Sequence, residues 1–551
     1  MNIATQNIPK DDEILDAIVI GAGFSGLRML QKLRETGLSA KVIEAGADVG
    51  GTWYWNRYPG ARTDSESWVY CYSSSKELLQ QWDWKERFSP QAEVLEYLQH
   101  YADRFDLRRD IRFGTRVVSA AYDEAADEWA VRTDVGGTYR ARYLIPAGGV
   151  LSHPYVPDFP GIDDFEGETY LTARWPKHDV DFAGKRVVVV GTGATGVQAI
   201  PLIAQTAAHL TVLQRTANFV LPARNHTLTQ EHRQGIRADY DTIWSKAQRH
   251  FFAFAMDPAG RTMAEFDQDE VQKILEAGWE TGGFRYLFET FDEIFTNMET
   301  NDVVAQFVRN KIRTIVHDPA TAEVLCPKGY PIGAKRPPLG HFYYETYNRE
   351  NVDLVDVADN AIDAITADGI RLTDSTVIPA DVIVFATGFD AVTGALTAID
   401  IRGRNGLELR EKWKNGPRTS LGIAVNDFPN MLMVCGPQST TANIPVVVEK
   451  IVGYISEALT AAAREGWALE PTEESMDDWG QQLLASLNET VIPRGKDSHS
   501  WYFGANMPDK AIAPLFWFGG AESYFAACEK VLDEDCAGLR HLETRQLEEA
   551  Q

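Results

Sequence analysis

Cysteine is scarce in this chain. Five occur among 551 residues, at positions 71, 326, 435, 528 and 536, and no two stand at the spacing of a metal site or a redox dithiol. A zinc ribbon and a dithiol enzyme are thereby excluded, and no metal is expected. Long apolar runs are also missing, since none approaches the roughly 18 residues that a membrane helix requires. The opening stretch MNIATQNIPKDDEILD is polar and acidic, without an apolar leader. The expectation is a cytoplasmic protein with no membrane partner. Positive charge is the third shortage. Lys and Arg number 53 against 79 Asp and Glu, for a formal net charge of −26. Such a field repels nucleic acid and anionic membranes at long range, although a local pocket can differ from the whole. What is present is ample core. Hydrophobic residues at 44 % and aromatics at 11 % exclude disorder as the main state. The length suits two or three domains.

The apolar run Ala17–Ile20 ends abruptly in Gly21-Ala22-Gly23, as a fully buried parallel strand does. Leu27, Leu30 and Leu33 then recur near helical spacing, and Lys41–Glu44 reads as a second strand. The pattern returns at Val187–Val190, followed by Gly191-Thr192-Gly193-Ala194-Thr195-Gly196, a helix through Ile203 and a strand at Leu210–Gln214. Two such openings about one domain apart predict two separate nucleotide-binding domains. Between them Pro154, Pro157 and Pro160 mark a stiff crossing segment. Residues from about 227 to 310 carry long helical patterns, and the strand Val382–Phe385 runs into Ala386-Thr387-Gly388. The chain is then expected to return to its first domain and to alternate strand and helix up to an acidic tail.

Gly21, Gly23 and Gly26 form a G-x-G-x-x-G turn between strand and helix. Gly21 permits the tight turn, Gly23 lets pyrophosphate approach the backbone, and Gly26 allows close helix packing. Glu44 ends the next strand 18 residues after Gly26, where a carboxylate bonds ribose hydroxyls. An unphosphorylated ribose is implied, as in FAD or NAD. Gly191, Gly193 and Gly196 repeat the turn, but the following strand ends in Gln214-Arg215-Thr216, with a cation where the first site has an acid. A 2′-phosphate is then favoured, so this site should prefer NADP. The fold class is therefore α/β, with two Rossmann-like dinucleotide-binding domains, one for FAD and one for NADP. Residues 1–152 and 388–551 form the FAD domain, 153–226 and 330–387 the NADP domain, and 227–329 a helical insertion in the latter.

A hydride source and a flavin acceptor in one chain leave three classes open. A disulfide reductase needs a cysteine pair beside the flavin, and the stretch Gly50 to Arg62, GGTWYWNRYPGAR, has none. A flavin monooxygenase and a nucleotide-binding redox sensor without chemistry remain.

Over nearly its whole length the chain resembles the type I Baeyer–Villiger monooxygenases. The matching stretches are GAGFSG, GGTWYWNRYPGARTD, GTGATG with QRT, KGYPIGAKRP, FATGFDAVTGAL and SWYFGANMP. The glycine motifs are common singly; the combination in this order is highly specific. The resemblance implies that NADPH reduces FAD, that O₂ adds at flavin C4a, and that the peroxyflavin attacks a ketone to give an ester or lactone. Ketone and O₂ would be the partners, and the protein a monomer or weak homo-oligomer. Arg336 matches the cation beside the peroxide and the oxyanion, where a permanently protonated guanidinium suits the task. Asp64 matches the aspartate that orients it. Lys335 matches a second cation on the NADP 2′-phosphate, beside Arg215 and Thr216, and Trp501 the tryptophan of a C-terminal loop that meets the cofactor. Gly51, Thr52 and Trp53 fall in the flavin-side stretch.

The family fingerprint F-x-G-x-x-x-H-x-x-x-W-[PD] falls on Phe165, Gly167, Leu171, Trp175 and Pro176, with Leu171 in place of histidine. In the family this segment links the nucleotide domains, so the change is expected to touch domain coupling or cofactor cycling more than the chemical step. The family loop usually continues Pro-Gly-Lys, whereas this chain has Pro508-Asp509-Lys510. Thr440, Thr441 and Ala442 read as small residues of a substrate pocket with room for a bulky or cyclic ketone. Tyr54, Trp55 and Phe389 read equally as pocket wall or core. An N- or S-oxygenating flavin monooxygenase shares both nucleotide motifs and stays open as an alternative.

Overall fold

The two glycine turns each open a separate parallel sheet in the computed structural model, which describes residues 14–541. In the first sheet the strand Ile14–Ile20 lies between Ala40–Ile43 and Thr138–Pro146, parallel to both. Ala17, Ile18 and Val19 are fully buried, as a run covered on both faces must be. Ile111–Arg112 extends one edge, and the antiparallel strands Val117–Asp123 and Glu128–Thr133 continue beyond Thr138–Pro146. The chain supplies the far edge from a distance, since Asp400–Arg402 pairs with Val117–Asp123.

The second sheet is parallel throughout, in the order Val352–Asp356, His209–Gln214, Arg186–Val190, Val382–Phe385 and Glu168–Leu171. Its central strand buries four successive valines, Val187 to Val190. Close backbone crossing explains the third glycine of each turn. A Cβ on Gly26 would lie 1.8 Å from the Gly21 carbonyl oxygen, and one on Gly196 would lie 2.2 Å from that of Gly191.

Side chains join the two layers. The Tyr58 hydroxyl donates to Gln198 Oε1 at 2.8 Å, and Gln198 Nε2 donates to the Arg62 carbonyl at 3.1 Å. Lys177 Nζ donates to the Tyr54 hydroxyl at 2.9 Å. That hydroxyl also accepts from the Ala47 amide at 3.1 Å, so Tyr54 is a structural clamp and not an open pocket wall.

The antiparallel meander at 117–146 extends the first sheet, and its second hairpin turns at Gly136-Gly137, both at φ 84°. Two expectations need correction. Between 227 and 329 the helices are broken into pieces such as Gln230–Ala238, Tyr240–Arg249, Gln268–Thr281 and Met298–Ile315, because Pro258, Gly260 and Gly282-Gly283 interrupt the apolar periodicity. After Gly388 the strands that alternate with helices are very short, Asp400–Arg402, Ala468–Leu469 and Arg540–His541. The helices Ile444–Glu465, Glu473–Asn488 and Ala521–Asp533 dominate, with only short strands among the described residues. The acidic tail beyond 541 lies outside the described residues.

The fingerprint segment forms an edge. Leu171 closes the strand Glu168–Leu171 opposite Phe385, and its side chain joins an apolar cluster with Phe165, Ile162 and Phe159. Trp175 is buried against Tyr170 and Phe182. At Gly167 a Cβ would lie 2.4 Å from the Asp381 carbonyl and 2.5 Å from the Phe165 ring. Gly167→Ala is therefore expected to destabilise the protein by roughly 1–3 kcal/mol through overpacking, read as a lowered melting temperature.

Candidate active site

The helices after the two glycine turns begin alike. Phe24–Glu35 starts from Gly23 and Ala194–Thr206 from Gly193, and neither has a side-chain cap or an acid in its first turn. Their leading N–H groups and positive dipole ends therefore favour an anion. The ribose positions differ. Glu44, 5 % exposed, accepts from the Ala22 amide at 2.7 Å and the Gly46 amide at 2.6 Å. Burial raises its pKa against those hydrogen bonds. Gln214 stands at the corresponding place in the second turn, accepting from Thr192 Oγ1 at 3.4 Å. A neutral amide thus replaces the carboxylate.

Beyond Gln214 the cations gather. Arg215 is exposed and Thr216 half-buried beside it. Lys335 is half-buried, with its ammonium 5.5 Å from the Tyr330 ring centroid. Burial, and then the like charge of Arg215, lower the Lys335 pKa to about 8. Neither cation has a carboxylate partner among the described residues.

Arg336, next in the chain, is paired. Its Nε and Nη2 donate to Asp64 Oδ2 at 2.9 and 2.6 Å, and its guanidinium carbon lies 5.4 Å from the Phe284 ring centroid. Burial works to lower its pKa, but Asp64 holds it above the usual value. Burial also raises the hydroxyls of Tyr58 and Tyr502 to about 12, so they stay protonated donors.

Gly51 crosses the first glycine turn closely, since a Cβ there would lie 2.8 Å from Gly23 Cα. The Gly50 amide donates to the Ala22 carbonyl at 2.9 Å. Thr52 is exposed at the start of a short helix, and Trp53 is buried edge-on to Tyr70. The C-terminal segment reaches the same region. Ser500 Oγ donates to the Ala334 carbonyl at 3.0 Å, and Trp501 packs edge-on against Phe516 at 5.2 Å. Asn506 Nδ2 donates to the carbonyl of the half-buried Phe389 at 2.9 Å, and Lys510 pairs with Asp390. Thr440, Thr441 and Ala442 are buried, Thr440 bridging to Trp517. Sequence reasoning missed Phe284, Tyr70 and Tyr502. Phe284 is one of 25 phenylalanines within a helical region and carries no local signal. Tyr502 follows Trp501 directly and was within reach of the same motif.

Comparison with known proteins identifies the assembly. A family model described as flavin-binding monooxygenase-like matches residues 16–228. A Baeyer–Villiger monooxygenase of Pseudooceanicola batsensis is 43 % identical over 98 % of both chains. The chain belongs to the Baeyer–Villiger monooxygenase family. The crystal structure of cyclohexanone monooxygenase from Rhodococcus sp. Phi1 bound to NADP⁺ superposes with a TM-score of 0.93 at 43 % identity, covering 96 % of this chain and 99 % of that one. A further relative, the phenazine N-monooxygenase PhzNO1 of Lysobacter antibioticus, is 41 % identical over 97 % of this chain and 98 % of its own.

In this Baeyer–Villiger monooxygenase the loop after Trp501–Phe503 carries Asp509. Asp509 is exposed, with φ at 59°, in the left-handed region that glycine occupies freely. Asp509→Gly should relieve this strain and stabilise the folded protein by about 0.5–1 kcal/mol, partly offset by the added freedom of the unfolded chain. Thermal unfolding of the two proteins checks it.

Proposed function

We propose that the protein is an FAD- and NADPH-dependent monooxygenase that inserts one oxygen atom of O₂ beside a ketone carbonyl, giving an ester or lactone, with water as the second product. The observation that carries this reading is the pair of neighbouring cations in opposite states. Arg336 is clamped to Asp64, while Lys335, the residue before it, is held near Arg215 without a counter-ion. Two tasks are thereby separated. The unpaired cations suit a 2′-phosphate, and the neutral Gln214 offers it no repulsion. The clamped guanidinium suits charge that develops during oxygen transfer, because it keeps its own proton and is oriented in advance.

Both dinucleotides fit the residues present. The uncapped helix starts at Gly23 and Gly193 offer amides to each pyrophosphate, and a Cβ on Gly193 would meet nothing within 4 Å, so the approach is open. Glu44 is positioned for the ribose of FAD. When bound, FAD would take hydride from NADPH and activate O₂. Asp64 keeps Arg336 in register, and Trp501, on the segment tied to Ala334 by Ser500, is the residue we assign to covering the nicotinamide. Thr440, Thr441, Ala442 and Phe389 are assigned to the substrate pocket.

The division into 1–152 with 388–551, 153–226 with 330–387, and 227–329 is supported by strand membership. The first sheet draws only on 14–146 and 400–402, and the second on 168–190, 209–214 and 352–385. No described helix is long and apolar enough to cross a membrane. With a net charge of −26, that supports work in the cytoplasm. The Lysobacter relative favours a second reading, oxygenation at the nitrogen of a heteroaromatic substrate.

A panel of cyclic, linear and aryl ketones beside N-heteroaromatics, read by product analysis, separates the two. Esters or lactones formed one per NADPH support the first reading, and N-oxides alone the second. Arg336→Ala is expected to retain flavin reduction while lowering product formation on the order of 10²–10³-fold. Undiminished ketone oxidation would remove the assigned role. For Lys335 the sign follows from its charged form being the acid form. Below about pH 8 the free protein already carries the charge, so affinity is flat. Above that value binding must take up a proton, and Kd for NADPH should rise up to about tenfold per pH unit. Lys335→Gln should abolish that rise.

A further inference from the structure

Glu66 is 2 % exposed and uncharged surroundings would not keep a carboxylate there. Two arginines do. Arg285 grips it as a fork, Nε to Oε1 at 2.9 Å and Nη2 to Oε2 at 2.9 Å, and Arg87 Nε donates to Oε1 at 3.1 Å. The remaining Arg87 donors go to the turn that precedes Arg285, and the remaining Arg285 donor goes one helical turn onward. Arg87 Nη1 donates to the Thr281 carbonyl at 2.7 Å and Nη2 to the Gly282 carbonyl at 3.3 Å, while Arg285 Nη1 meets Glu289 at 2.5 Å. The turn between the helices Gln268–Thr281 and Arg285–Phe288 is thus riveted to the segment 64–88 on both sides.

Phe284 lies in that turn. Its buried ring is the one beneath the Arg336 guanidinium, and Phe254 packs beside it at 5.3 Å. Two positions before Glu66 stands Asp64, the partner of Arg336. One short stretch of chain therefore supplies both anions. Asp64 fixes the polar edge of Arg336, and Glu66, through Arg285, fixes the aromatic face against which it rests.

Building on the reading of Arg336 given above, we infer that Glu66, with Arg285 and Arg87, is a positioning unit that sets the placement of Arg336 through Phe284, and that it governs how much of the oxygen consumed reaches the substrate. A guanidinium displaced from its place leaves oxygen transfer slower than loss of hydrogen peroxide. NADPH, O₂ and a proton then yield NADP⁺ and hydrogen peroxide instead of oxygenated product. The unit touches neither Arg215 nor Lys335, so cofactor affinity should be spared.

The test uses the FAD-loaded, full-length enzyme with NADPH and its best ketone. In Glu66→Gln, the ratio of hydrogen peroxide to oxygenated product is expected to rise at least threefold and kcat for product to fall about tenfold, with KM for NADPH changed less than twofold. Phe284→Leu, which leaves the ion pairs intact, should reproduce the shift. The double variant should be no worse than the worse single, because both changes act through one contact. Arg285→Lys keeps the charge and loses the fork, and serves with the same readouts if Glu66→Gln does not fold. Unchanged coupling in a folded variant, or additive losses in the double, would overturn the inference while leaving the functional reading intact. Failure of the wild type to oxygenate any ketone or N-heteroaromatic defeats that reading itself.

Discussion

The half-buried Asp64–Arg336 pair ties distant parts of the chain through charge-assisted hydrogen bonds. Asp64 belongs to the stretch that follows the first glycine turn, and Arg336 to the segment that follows the helical region and leads back into the second sheet. For the two to meet at 2.6 Å, the loop 58–66 must lie on the helix Ala194–Thr206, as the Tyr58–Gln198 and Gln198–Arg62 hydrogen bonds hold it. The relative placement of both nucleotide layers is thus expressed at one ion pair.

Charge is distributed to serve that pair. Acid exceeds base over the whole chain, yet Arg215 and Lys335 stand without carboxylates among the described residues. Lys335 shows what such an arrangement costs the protein alone, since burial and Arg215 together push its ammonium toward release of its proton. Holding an unpaired cation is destabilising until an anion arrives, and the binding of that anion recovers the loss.

Much of this was legible from residue order. The two turns, their helices, Glu44 and Arg215 follow from strand–glycine–helix grammar, because close backbone crossing at Gly26 and Gly196 admits no side chain. Asp64, Arg336 and Lys335 follow from resemblance alone, and the fold brings Asp64 and Arg336 together. The rest was hidden for physical reasons. Glu66 meets Arg285 from 219 positions away and Phe284 meets Arg336 across a chain reversal, and nothing in their local sequence separates them from ordinary core or surface residues. The antiparallel meander and the long C-terminal helices were missed because short apolar runs fit either strand or helix until packing decides.

The few cysteines have a consequence of their own. All five are buried, and burial pushes the Cys435 and Cys528 thiols up to about 12, with Cys71 and Cys326 also raised. Cysteine sulfur is attacked by peroxides as thiolate, and these four thiols are both shielded and kept protonated. A catalyst that handles activated oxygen at its centre has thereby left no exposed cysteine for its own by-product to damage.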